Sequence, residues 1–317
     1  MLAFPQKDTQ PRRNGPCGSW VPMLFLWLTT LTALPVGGRA ERLNLPARLG
    51  ELGYEAVSLR RTGQNHWFLF GQVEGRKRSC LVDTGWSFTT VSTNTAGRLV
   101  ETNRIRTLKL GGVTLTNVPT QASDLRVNGQ PTSYDVVLGC DFLLRERAIL
   151  DCDNNQLYLR TRSGPAEDFS GLETALTRAG WVSIPLQERQ PAALTCTAHI
   201  NEQTTALLVD SGAMWSCLDQ TFATRAGLRT SPAAQRMTGP GANRQRAFLV
   251  AELQAWSLDT AAMPDRTFAV FPLQDWGLGA GGKLFPEVNG ILGGAELKTG
   301  AALIDCGHRK LWLRQKP

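Results

Sequence analysis

From residue 45 onward the chain is built of short apolar runs in which large apolar side chains alternate with polar ones. "WFLFGQVEG" (Trp67–Gly75) passes through a polar turn into "SCLVD" (Ser79–Asp83), and "LKLGGVTL" (Leu108–Leu115) repeats the same period. A period of two is that of strands with one buried face. Two segments depart from it. In "LPARLGELGY" (Leu45–Tyr54) and "LETALTRAGW" (Leu172–Trp181) leucines recur at three and four residues, which predicts a helix of a turn or two in each. With 31 Gly and 17 Pro among 317 residues, turn-rich β structure is expected rather than a helical bundle.

The first forty residues follow another pattern. Met1–Trp20 carries Lys7, Arg12 and Arg13 against Asp8, and an apolar stretch, Val21–Val36, follows. Gly38 and Ala40 then stand at −3 and −1 of a cut before Glu41. This is the order of a secretory signal, and the apolar run is short for a spanning helix. An uncleaved membrane anchor and a twin-arginine signal at Arg12-Arg13 are the rival readings. A cleaved signal places the mature chain in the periplasm or outside the cell, with membrane attachment only through an uncleaved N-terminus. The polar stretch "RTRSGPAEDFS" (Arg160–Ser170) reads as a linker, which divides the remainder into halves at 41–160 and 172–317 with 161–171 between them.

The formal charge is +7, and about +4 once residues 1–40 are removed. The basic residues are scattered, so nucleic acid is not an expected partner. Of seven cysteines, Cys17 falls in the signal. Cys80, Cys140, Cys152, Cys196, Cys217 and Cys306 form no Cys-x-x-Cys pair, and His66, His199 and His308 lie far apart. No metal site and no cofactor are predicted. Disulfides and buried free thiols are both open to these cysteines.

The chain repeats itself. Shifted by 127 residues, "LVDTGWSFTTV" (Leu81–Val91) meets "LVDSGAMWSCL" (Leu208–Leu218), setting Asp83 on Asp210, Thr84 on Ser211 and Gly85 on Gly212. The same shift sets Leu45 on Leu172, Leu49 on Leu176 and Val73 on Ile200. A second block repeats at another offset: "VLGCDFLLRERAILDCDNNQLYLR" from Val137, and "ILGGAELKTGAALIDCGHRKLWLR" from Ile291. The chain is a duplication.

An Asp in an Asp-x-Gly turn commonly only shapes the turn. Here both copies keep Asp, a hydroxyl and Gly after an apolar strand. If the halves pack about a pseudo-twofold axis, the two turns can meet. Two close carboxylates resist double ionisation and hold one proton between them, so one can accept a proton from water while the other donates. Thr84 and Ser211 offer hydroxyls to tie the turns, and Gly85 and Gly212 let backbone N–H groups approach the carboxylates. Asp151 and Asp305 also repeat, but each precedes a turn and reads as a hairpin former.

"LVDTG" and "LLVDSGA", each followed downstream by apolar-apolar-Gly ("VVLG", "GILG"), resemble the retropepsin-like aspartic proteases, with the fused two-lobe logic of pepsin-like enzymes. The resemblance runs from Leu45 to the C-terminus. It implies an all-β fold of two acid-protease β-barrel halves about a pseudo-twofold axis, with the active site at their interface. It implies a monomer whose halves form an intramolecular dimer, acting on a peptide or protein substrate. Asp83 and Asp210 would be the catalytic pair, with Thr84, Gly85, Ser211 and Gly212 supporting it. Gly139 and Gly293 would lie in the crossed loop behind each turn. Trp86 and Ala213 follow the glycines at substrate-facing positions. Ala213 is small, as is usual there, whereas the Trp86 indole would either line a subsite or crowd the pair. Asp83 to Gly139 is 56 residues and Asp210 to Gly293 is 83. The surplus predicts one dominant flap from the C-terminal half, with its tip at Gly239, Pro240 and Gly241. Two rival functions are an inactive protease-fold binding module outside the cytoplasm and an actin-like or sugar-kinase-type ATPase.

Overall fold

The computed structural model of the chain describes residues 43–93, 103–127, 130–161, 168–237 and 246–314. The export-signal reading of residues 1–40 and the flap tip at Gly239–Gly241 lie outside the described residues.

The duplication is drawn in one six-stranded sheet. Its order is Tyr54–Ser58, Gln156–Arg160, Ile149–Asp151, Leu303–Asp305, Lys310–Arg314, Trp181–Pro185, three strands from each half. At its centre Leu150 pairs with Ile304, its own repeat partner, and Ile149↔Asp305 is mirrored by Asp151↔Leu303. The pseudo-twofold axis therefore passes between Leu150 and Ile304. The two predicted helices, Leu45–Glu51 and Ser170–Arg178, both pack on this sheet. Leu45, Leu49, Leu172 and Leu176 are buried against Tyr54, Ile149, Tyr158, Leu303 and Trp312. Helices this short are unstable alone. Burial of about 1.5–3 kcal/mol per leucine holds them to the sheet, and Asn44 caps the first through Ala47 N at 3.2 Å.

Each half adds a curled sheet, of eight strands in the N-terminal half and ten in the C-terminal half. Arg76–Val82 lies between Trp67–Val73 and Val136–Leu138, and Gln203–Val209 between Ala193–Ile200 and Val288–Leu292. These are the strands that end on the two aspartates. They are central, so their last residues, Cys80–Val82 and Leu207–Val209, are apolar without alternation and buried. Each pairs in parallel with the strand before its crossed-loop glycine, Val82 with Leu138 and Val209 with Leu292.

Part of the surplus of the C-terminal half is a hairpin, Thr230–Met237 with Arg246–Leu253, whose second strand pairs with Arg266–Phe271. In the N-terminal half the strand expected from Leu108 begins earlier, at Arg104, because Arg104 and Ile105 pair with Pro119 and Val118. The largely antiparallel sheets and few short helices give no layered βαβ platform to support the ATPase reading. Cys80, Cys140, Cys152, Cys196, Cys217 and Cys306 are buried free thiols. Burial pushes the Cys80, Cys140 and Cys196 thiols up to about 12. No helix among the described residues is long and apolar enough to cross a membrane.

Candidate active site

Both aspartates sit where a buried strand ends in a turn, and each carboxylate shapes its own turn. Asp83 Oδ1 accepts from Gly85 N at 2.9 Å and Trp86 N at 3.1 Å, and Asp210 Oδ1 from Gly212 N at 2.8 Å and Ala213 N at 2.9 Å. The aspartate N–H groups donate to Leu138 O and Leu292 O at 3.1 and 3.0 Å. The turn-forming role is thus real, and it consumes one oxygen of each carboxylate, leaving the other for chemistry.

The hydroxyls after the aspartates lock the two turns together. Ser211 N donates to Thr84 Oγ1 at 2.9 Å and Thr84 N to Ser211 Oγ at 3.0 Å. Thr84 Oγ1 in turn donates to Val209 O at 2.7 Å, and Ser211 Oγ to Val82 O at 2.9 Å. Both residues are fully buried. Each hydroxyl spends its donor and an acceptor lone pair across the interface, which leaves no rotational freedom to either turn.

The lock brings the carboxylates face to face. A Cβ on Gly85 would strike the Asp210 carboxylate, and one on Gly212 would strike that of Asp83, so only glycine fits either position. Asp83 and Asp210 share a side-chain hydrogen bond. Burial, then the Asp210 charge, then the hydrogen bond to Asp210 push the Asp83 carboxyl well above the usual carboxylate range. Burial also raises Asp210, against the lowering pull of its bonds to Asp83 and to the turn N–H groups. The pair is therefore built to keep one proton.

Behind each turn, the crossed-loop glycines pack on the backbone. A Cβ on Gly139 would lie 2.6 Å from Phe88 C, and one on Gly293 2.5 Å from Trp215 C. Cys140 N donates to Trp86 O at 2.7 Å and Gly294 N to Ala213 O at 2.8 Å. An acid from the following helix completes the brace. Asp141 Oδ1 accepts from Thr89 N at 2.7 Å and Thr89 Oγ1 at 2.8 Å, and Glu296 Oε2 accepts from Ser216 N at 3.2 Å and from the Ser216 hydroxyl. Asp141 and Glu296 were not singled out from sequence. They stand one position apart in the repeat, and the longer glutamate makes up the difference. Acid and hydroxyl pair only across the crossed loop, about fifty residues apart in one half and eighty in the other.

Trp86 turns its indole to Thr90 and the sheet. Its Nε1 donates to Thr90 Oγ1 at 2.9 Å, and the indole, half-buried, packs with Leu81, Leu125, Val137 and Tyr134. Ala213 is half-buried at the equivalent place. Two residues on, the copies diverge. Phe88 is 42% exposed, whereas its partner Trp215 is covered by Phe248 of the extra hairpin, ring centroids 6.2 Å apart. The hairpin thus sets Phe248, near the turn end of its second strand, against Trp215 after the Asp210 turn. Asp151 Oδ1 accepts from Asp153 N and Asn154 N, and Asp305 binds His308 through its N–H and Nδ1, so these repeated acids close hairpins.

Residues 196–295 match the family model described as Aspartyl protease. Comparison with curated proteins finds no match. Among solved structures, an aspartic proteinase from Irpex lacteus aligns at 12% identity over 83% of this chain and 97% of its own, with a TM-score of 0.43. Basic 7S globulin from soybean aligns at 10% identity over 83% and 95%, also at 0.43. A retropepsin-like aspartic protease from Rickettsia conorii aligns at 19% identity over 34% and 89%, at 0.26. The matched segment holds Asp210, Ser211 and Gly212, and the described chain carries that turn twice about one axis. Residues 196–295 thus match an aspartyl-protease family model, and around that segment the chain is built as two like halves about one axis.

Proposed function

We propose that the chain is an aspartic-type endopeptidase, a monomer that hydrolyses peptide bonds of a polypeptide substrate at the Asp83/Asp210 pair. The observation that carries this reading is the reciprocal Thr84–Ser211 lock, which holds two facing carboxylates in a site that keeps one proton. The two carboxyls titrate as a unit, and burial with mutual repulsion keeps one proton between them. The ionised member takes a proton from water as the water oxygen attacks the carbonyl carbon, and the protonated member gives its proton to the carbonyl oxygen. Proton transfer to the amide nitrogen then breaks the C–N bond, and the pair returns to its single-proton state.

Trp86 bears on the inactive-module alternative. Its indole is tied to Thr90 and packed on Leu81, Leu125 and Val137, an anchored place that supports a subsite role. The export-signal reading of residues 1–40 supports action outside the cytoplasm. The test is cleavage of a random peptide library by the wild type and by Asp83→Asn. Cleavage abolished in the variant is the expected result, and equal cleavage by both would refute the assignment.

A further inference from the structure

We infer that the outer face of the N-terminal sheet, beside the Asp83 turn, docks an acidic segment of the substrate polypeptide carrying an apolar anchor; this rests on the peptidase reading above. On the strand Trp67–Val73, Phe68 and Phe70 point to this face, and Phe70 is 44% exposed. The Phe68 and Phe70 rings meet edge to face at 5.9 Å, and Phe68 lies 5.9 Å from the Tyr134 ring. Tyr134 and Trp86 pack on the same Leu81, Leu125 and Val137. An aromatic track therefore leads from the Asp83 turn out to Phe70.

Two cations stand over its end. The Arg60 guanidinium carbon is 5.3 Å and Lys77 Nζ 4.7 Å from the Phe70 ring centroid. Both side chains are exposed, and among the described residues neither has a carboxylate partner. The nearby carboxylate Asp135 is engaged by Arg78 at 3.6 Å and by Ser79.

The duplication supplies an internal control. At the positions of Arg60, Phe68, Phe70 and Lys77 the C-terminal half has Gln187, Thr195, Thr197 and Thr204. There the chain covers its own sheet: Leu273, Leu278 and Phe285 pack with Ala193, Leu208 and Ile291, and Thr195 is 1% exposed. The N-terminal half instead presents an exposed ring under unpaired cations. The chain's own residues 1–40 carry a net +3 and are repelled by such a face. A substrate segment with Asp or Glu beside a leucine or phenylalanine satisfies both the charges and the ring.

The test pairs one cleavable core peptide with three extensions, Glu/Leu-rich, Ser/Gly-rich and Lys/Leu-rich. It compares the wild type with a variant carrying the C-terminal half's own residues, Arg60→Gln, Phe70→Thr and Lys77→Thr. The wild type should show about tenfold lower KM for the acidic extension, weakened by salt and lost in the variant, with the unextended core cleaved equally by both. Equal KM for all three extensions would overturn the proposal, as would binding of anionic vesicles that acidic peptide does not displace. Anisotropy of the labelled acidic peptide on Asp83→Asn measures docking without cleavage. Loss of all cleavage with docking retained would refute the peptidase reading and not the surface; absence of docking refutes the surface alone.

Discussion

Thr84 and Ser211, 127 residues apart in sequence, exchange two hydrogen bonds between each one's backbone N–H and the other's hydroxyl, at 3.0 and 2.9 Å. Thr84→Ala leaves Ser211 N and Val209 O unpaired in a buried place, so it should cost about 1–3 kcal/mol. Thr84→Ser keeps the hydroxyl and should cost less. Because both hydroxyls serve one network, Thr84→Ala with Ser211→Ala should fall short of the sum of the single losses. Denaturant titration of the four proteins measures this, and strict additivity would dissolve the network.

Asp83→Asn and Asp210→Asn should each lower kcat by about 10²–10⁴-fold or more, and the double variant should be little worse than either. A single variant with near-wild-type turnover would remove that residue from the reaction. EDTA should leave activity unchanged; inhibition reversed by added zinc would contradict a reaction carried by the carboxylates alone.

The shared proton gives stability a pH dependence of unusual sign for carboxylates. Both carboxyls titrate above their ordinary value in the fold. Between the ordinary and the raised values the folded chain binds more protons than the unfolded one, so stability falls as pH rises through that window. Asp83→Asn removes one of the opposed carboxyls, so its Tm should exceed that of the wild type near neutral pH and approach it in acid. Activity should likewise peak on the acidic side of neutral. Thermal melts across pH decide this; a Tm difference independent of pH would mean that the pair is not strained by ionisation.

Gly139→Ala and Gly293→Ala each push a Cβ to within 2.6 and 2.5 Å of the backbone of Phe88 and Trp215. Each should destabilise by about 1–3 kcal/mol or more, with activity lost as the catalytic turn is displaced. Calorimetry and kcat on the same samples test the pairing of the two effects. An Ala variant that keeps both would show that the loop has room to shift.

Phe248→Ala uncovers Trp215 and removes a buried ring from the second strand of the extra hairpin. The expected loss is about 3–5 kcal/mol at full burial, together with a raised KM if the hairpin bears on substrate. An unchanged KM in a folded variant would confine the hairpin to a structural role.

The amino-acid sequence by itself determined the repeat, and the repeat determined much. Asp83 and Asp210, their hydroxyls and glycines, the two short helices, and the glycines Gly139 and Gly293 were all legible, because each is a local pattern present twice. Many strand positions followed from period-two burial; at Arg104 exposed polar side chains conceal a strand fixed by pairing with Pro119 and Val118. What sequence left open was decided at long range. That Trp86 turns to Thr90, that Asp141 and Glu296 brace the two loops, and that Phe248 covers Trp215 while Phe88 stays exposed are contacts between segments far apart in the chain. Local propensity carries no information about such partners. The six cysteines make the same point: spacing allowed bridges, and the fold buries each as a free thiol. Above all, only the central pairing of Leu150 with Ile304 sets the two halves about one axis, and that symmetry turns two ordinary Asp turns into a facing pair.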